Sequence, residues 1–152
     1  MTRRAQESES KPDAILPLVR HVISSRYEDL SEQAVQATKT FILDSLGVII
    51  AGTLAPGVPQ TLKVLRDWGG KEESTVLVLG GKLPAPSAAM MNSFMLHNQE
   101  FDCVHDGAVL HPFTTALPVA IAVAEAKGGS TGRELLTAVA LGVDVSCSIG
   151  IS

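Results

Sequence analysis

An all-α fold, a helical bundle with at most one short extended segment, is what this sequence predicts, and three observations lead there. Apolar residues recur at three- and four-residue steps along most of the chain, the spacing of a helix face. Apolar residues make up 45% of the chain but aromatic ones only 4%, so the core has to be assembled from Ala, Val, Leu and Ile in small, closely packed pieces. The one run with strand character, Ser74 to Leu79, stands alone, and a single short strand makes no sheet.

Met1 to Lys11 carries Arg3 and Arg4, then Glu7, Ser8, Glu9 and Ser10, with no apolar centre, so residues 1–12 read as a disordered tail and not a secretory signal. Residues 13–152 form one helical domain, since no break in composition divides them. Pro12 and Asp13 open a helix to about Ser25, with Ile15, Leu18, Val19 and Val22 on one side and Pro17 as an early kink or a late first-turn residue. Ser31 caps a second helix, whose Val35, Thr38, Ile42, Leu46 and Ile49 line one face until Gly52 ends it. Asp44 in that helix reads as a buried polar anchor. Pro59 to Trp68 is a shorter amphipathic helix stopped by Gly69 and Gly70. Ser74 to Leu79 follows and is closed by Gly80 and Gly81. Gly80-Gly81-Lys82 lacks the earlier glycine and the following Ser or Thr of a phosphate loop.

From Pro86 to about Phe101, the residues Ala88, Ala89, Met91, Met95 and Leu96 suit a helix of small and flexible side chains. Pro112 begins another, rich in alanine, that runs to Gly128 and Gly129. Thr131 and Glu134 have the spacing of a capping box and start the last helix, through Leu135, Val139, Val143, Ser146 and Ile149. That pattern fits a fold cut short at Ser152, and Gly150 fits an ordinary helix end; both readings stand.

With 12 Lys and Arg against 16 Asp and Glu, a net charge of −4, the chain has no basic field to hold a phosphate backbone, so nucleic acid is excluded as a partner. The apolar passages Leu46 to Ala51 and Leu117 to Ala124 are shorter than the roughly 18 to 20 residues that cross a bilayer, so no membrane partner is expected. Two cysteines, Cys103 and Cys147, without a signal sequence fit free thiols in the cytoplasm. The charged share of 18% leaves surface to be buried against another domain or subunit.

Ionisable groups crowd one segment: His97, Glu100, Asp102, Cys103, His105, Asp106 and His111. Four readings compete for it. Imidazole and carboxylate together remove a proton next to a carboxylate and protonate a departing hydroxyl, the two halves of a dehydration. Asp102, His105 and His111 are favoured metal-ligand types, although their spacing matches no closed zinc pattern. Cys103 served by His105 or His111 would be a nucleophile. The last reading is structural, with His97 an ordinary helix residue and Asp102 and Asp106 capping or turning the chain.

A resemblance favours the first. His97-Asn98-Gln99-Glu100-Phe101-Asp102-Cys103-Val104-His105 followed by His111-Pro112 resembles the MmgE/PrpD signature: His, two residues, Asp-Phe-Asp-Asp-Thr-His, five residues, His-Pro. Asp44 to Gly47 with Ala51-Gly52, Pro86 to Asn92, Leu117 to Glu125 and Gly128 to Leu136 extend the likeness over about Ile15 to Gly150. The resemblance implies a helical large domain, a smaller mixed lid domain, a site between them, and a homodimer. It implies metal-independent lyase chemistry without a cofactor on small di- or tricarboxylic acids: dehydration of 2-methylcitrate first, with cis-aconitate decarboxylation or dicarboxylate epimerisation as alternatives.

Carried over by position, His111 is the catalytic or substrate-contacting histidine, and Glu100 stands where the family has a catalytic-site aspartate. Asp102 and His105 keep the signature and join the catalytic set, while His97 and Val104 occupy substrate-binding positions. Three letters depart: Glu100 is one methylene longer, Cys103 replaces an aspartate, and Val104 replaces a threonine and has no hydroxyl. The family's second histidine, lysine and tyrosine fall beyond Ser152, so the lid is expected to be absent. The resemblance then allows a piece of a larger enzyme, inactive alone, or a non-catalytic helical module.

Overall fold

The computed structural model describes residues 13–152; the tail expected over 1–12, and Pro12 as a helix opener, lie outside the described residues. The all-α expectation holds. The chain forms α1 (Ile15–Ser24), α2 (Glu32–Gly52), α3 (Val58–Trp68), α4 (Ala85–His97), α5 (Pro112–Ala126) and α6 (Gly132–Ile151), with a 3-10 turn at Tyr27–Asp29. β1 (Ser74–Thr75) pairs antiparallel with β2 (Lys82–Leu83), Ser74 opposite Leu83. The extended segment is thus two residues long, and its partner was invisible to pattern reading because a two-residue strand has no periodicity to show.

Local chemistry sets the boundaries as expected at most ends. The Ser31 side chain accepts the Ala34 amide to cap α2, and Thr131 and Glu134 form the reciprocal capping box of α6. Gly69 ends α3 at φ 64°.

Two apolar clusters share α2. Val48, Ile49, Val58, Leu62, Leu65, Val76, Leu83, Met91, Met95 and Leu96 form the larger, around α4. Phe113, Leu117 and Val139 form the smaller, between α5 and α6, with Ile42, Leu135 and Val143 packed on it. Gly52 allows α2 and α4 to cross closely, since a Cβ there would run into the Met95 carbonyl, and the Asn98 amide donates to the Gly52 carbonyl at 3.1 Å.

Three details differ from the pattern reading. Asp44 is exposed and anchors nothing; the buried polar groups of α2 are Thr38 and Ser45, because the buried stripe runs through Ser45 and Val48 and leaves Leu46 at the rim. α4 stops at His97, four residues before Phe101, and Phe101 is exposed. By length and mean hydropathy, 1.3 and 1.6, α2 and α6 would each pass as bilayer-crossing helices, which counting continuous apolar letters overlooked. A helix within a packed bundle passes the same test, and α2 lies against α4, α5 and α6, so no membrane assignment follows.

Candidate functional site at the α4–α5 junction

The early end of α4 builds the site. Asn98 ends the helix, and Glu100 takes a left-handed conformation at φ 56°, unusual for a residue with a Cβ. The chain therefore turns back, the Glu100 amide bonding the His97 carbonyl at 3.0 Å, and brings Asp102 against His97. The loop closes when the His105 amide bonds the Leu110 carbonyl at 2.9 Å, with Val109 at φ 51° between them. His111 is the N-cap of α5, Pro112 opens the helix, and Thr114 lies in its first turn.

Asp102 is the centre. Its side chain is 1% exposed, yet three groups converge on its oxygens. His97 Nδ1 is 3.1 Å from Oδ1, His111 Nδ1 is 3.1 Å from Oδ2, and the Thr114 hydroxyl donates to Oδ2. The His97 and His111 rings meet edge to face with centroids 4.7 Å apart. His111 Nδ1 is buried and, although close to the carboxylate, is not aligned for a hydrogen bond. Glu100 reaches His97 Nε2 at 3.6 Å from an exposed position. A buried carboxylate beside two imidazoles brings together the kinds of group that acid/base chemistry uses, and its hydrogen bond to His97 orients that ring.

Thr114 is itself held by an unusual device. Pro118 in the middle of α5 has no N–H, so the helix bond to the Thr114 carbonyl is missing, and the Ser93 hydroxyl of α4 donates to that carbonyl at 2.8 Å. The defect in α5 becomes a tie to α4 beside the Asp102 cluster. Pattern reading missed Thr114 and Ser93; Pro118 inside an Ala-rich helix was the available signal, since it frees the carbonyl four residues earlier.

Of the residues singled out from sequence, His97, Glu100, Asp102 and His111 come together. His105 stands apart, its Nδ1 accepting the Ala108 amide at 3.0 Å, and Val104 is exposed on the loop. The ligand-type set is accordingly His97, Asp102 and His111, not Asp102, His105 and His111. Burial pushes the Cys103 thiol above its ordinary range, with the Asp102 and Asp44 charges adding to it, which disfavours the thiolate that a nucleophile needs. The Asp102 cluster opens on a cleft of about 430 Å³ lined by His97, Leu110, His111, Thr114, Thr115 and Ser146.

The MmgE/PrpD N-terminal domain, as a family model, matches residues 17–152. The chain belongs to the MmgE/PrpD family. It is also similar to cis-aconitate decarboxylase of Homo sapiens, 32% identical over 120 residues, which is 76% of this chain and 25% of that protein. Cis-aconitate decarboxylase of Mus musculus is 31% identical over 120 residues, 76% of this chain and 24% of the relative. The chain therefore spans about a quarter of the length of the curated relatives it matches. In this MmgE/PrpD chain the match takes in the whole segment that carries His97, Asp102 and His111.

Proposed function

We propose that this chain is the part of a MmgE/PrpD lyase that supplies the proton-transfer histidine for a small tricarboxylic acid. The observation that carries the reading is the buried Asp102 carboxylate set between two imidazoles that line a cleft. His111 is the acid/base group, Asp102 sits beside it with Thr114 holding the carboxylate, His97 lines the cleft, and Glu100, exposed beside His97, is given a substrate contact. His105 shapes the loop that delivers His111, and Val104 offers an apolar contact at the rim.

Between the two tricarboxylate reactions, the likeness to curated cis-aconitate decarboxylases favours cis-aconitate over 2-methylcitrate. Loss of CO₂ breaks a carbon–carbon bond and leaves its electron pair on the substrate, to be taken up with a proton; imidazolium His111 donates it, and neutral His111 regains one from water. Dehydration of 2-methylcitrate would use the same group to take a proton next to a carboxylate. Cations that hold the substrate carboxylates belong, in this reading, to a lid domain outside the chain, and a homodimer in the cytoplasm completes the assembly. The many exposed large apolar residues, among them Ile23, Leu43, Leu54 and Ile151, favour burial against further protein.

The test is turnover of cis-aconitate and of 2-methylcitrate by the complete protein carrying this chain. The expected result is consumption of cis-aconitate that falls at least about 100-fold in His111→Ala. Unchanged turnover in that variant excludes the role given to His111.

A further inference from the structure

We propose that His97, Asp102 and His111 also form a three-ligand site for a divalent transition ion of the zinc or cobalt type, its open coordination position facing the cleft. Two imidazole nitrogens and one carboxylate are the donors that such borderline ions prefer. The geometry is close to what an ion requires. Asp102 Oδ1 is 3.1 Å from His97 Nδ1, Oδ2 is 3.1 Å from His111 Nδ1, and one donor atom from each residue lies within 4.8 Å of the others. Donors about 2.0–2.2 Å from a tetrahedral ion sit roughly 3.3–3.6 Å from one another, so the two His–Asp pairs are already near that spacing, and the widest donor pair, within 4.8 Å, closes by about an ångström to admit one.

Two further features point to a ligand rather than to a closed polar cluster. His111 Nδ1 is buried without an aligned hydrogen-bond partner, so in the tautomer protonated at Nε2 a lone pair there is available. The surroundings also match those of a metal centre: the Thr114 hydroxyl fixes the carboxylate, and Glu100 Oε1 stands 3.6 Å from the outer nitrogen of His97, where it steadies that ring. Among the described residues this is the one group of three such side chains close enough to share an ion.

Such an ion would occupy the His111 and Asp102 electron pairs that proton transfer uses, so its place is that of an inhibitor competing with substrate, not of a cofactor. The inhibitor role rests on the proposed lyase reading, whereas ion binding itself does not, and metal binding and turnover are read separately.

Titration of the complete protein carrying this chain with Co²⁺, followed by visible absorption and calorimetry, provides the test. The expected result is one ion per chain with a band of a four- or five-coordinate centre, displaced by Zn²⁺. His97→Gln and His111→Gln weaken binding by about 10- to 100-fold or more while far-ultraviolet circular dichroism stays unchanged; His21→Gln, at another His–Asp pair, has no effect. A measurement needing no variant is diethyl pyrocarbonate modification mapped by mass spectrometry, in which Zn²⁺ is expected to protect His97 and His111 but not His105. Absence of binding, binding that survives both substitutions, or equal modification with and without Zn²⁺ overturns the proposal.

Discussion

α4 presents two polar side chains five residues apart, the buried Asn92 and the half-exposed His97, to two different neighbourhoods, and they are treated in opposite ways. Asn92 is fully buried with both polar side-chain atoms partnered: its Oδ1 accepts the Leu77 amide at 2.9 Å and its Nδ2 donates to the Thr75 carbonyl at 3.0 Å. Glu125 reaches the same turn from α5 and accepts the Thr75 hydroxyl at 2.7 Å. That network locks the β1–β2 turn to the bundle. At the other end of α4, Asp102 is shared by His97, His111 and Thr114, and one buried nitrogen is left without an aligned partner. A satisfied buried network fixes structure, whereas an incompletely satisfied one keeps donors and acceptors in reserve for a ligand.

Substitutions should separate the two. The largest expected effect is on turnover: Asp102→Asn in the complete protein leaves the fold in place but lowers activity by about 10²- to 10⁴-fold, read as kcat, because the ring of His111 loses its charged partner. Asn92→Leu does the reverse. It strands the Leu77 amide and the Thr75 carbonyl and is expected to cost about 2–4 kcal/mol in urea denaturation, with no specific loss in the refolded, folded fraction. If both variants lose stability alike, the contrast between the regions fails.

Smaller effects sharpen it. Val109 is 86% exposed at φ 51°, a conformation that a β-branched side chain resists, so Val109→Asn should raise stability by about 1 kcal/mol in thermal unfolding. Cys103 should be alkylated by iodoacetamide at pH 8 more slowly than a free thiol, since burial holds it protonated; a faster rate would return it to the list of reactive groups. The smallest change concerns the α6 cap. Hydrogen bonds from the Thr131 amide and hydroxyl hold the exposed Glu134 carboxyl below its ordinary range. Its contribution is therefore present above the ordinary carboxylate range and lost as the pH falls through the lowered value, so acid unfolding of Glu134→Gln should show a slightly weaker pH dependence.

The uneven legibility of the chain has the same local origin. Helix ends with their own capping chemistry, at Ser31, Gly69, Pro112 and Thr131, were readable because the groups that set them lie within three or four residues. The α4 end was not. Nothing in His97-Asn98-Gln99-Glu100 stops a helix strongly, and the turn at Glu100 costs strain that neighbouring contacts have to offset. Asp44 misled for a related reason: neighbours on a helix lie about 100° apart, and the packing of α2 against α4 turns Ser45 inward and leaves Asp44 outside.

By itself the sequence determined the helical class, most helix boundaries, the family and the segment where ionisable groups gather, since each is written in spacing or motif along the chain. Only the tertiary structure decided that His97, Asp102 and His111 meet while His105 turns away, that Thr114 holds the carboxylate, and that Ser93 joins α4 to α5 through the Thr114 carbonyl that Pro118 leaves without a helix bond. Those are contacts between separate turns and helices, and their geometry comes from how the bundle packs, which no window of neighbouring residues encodes.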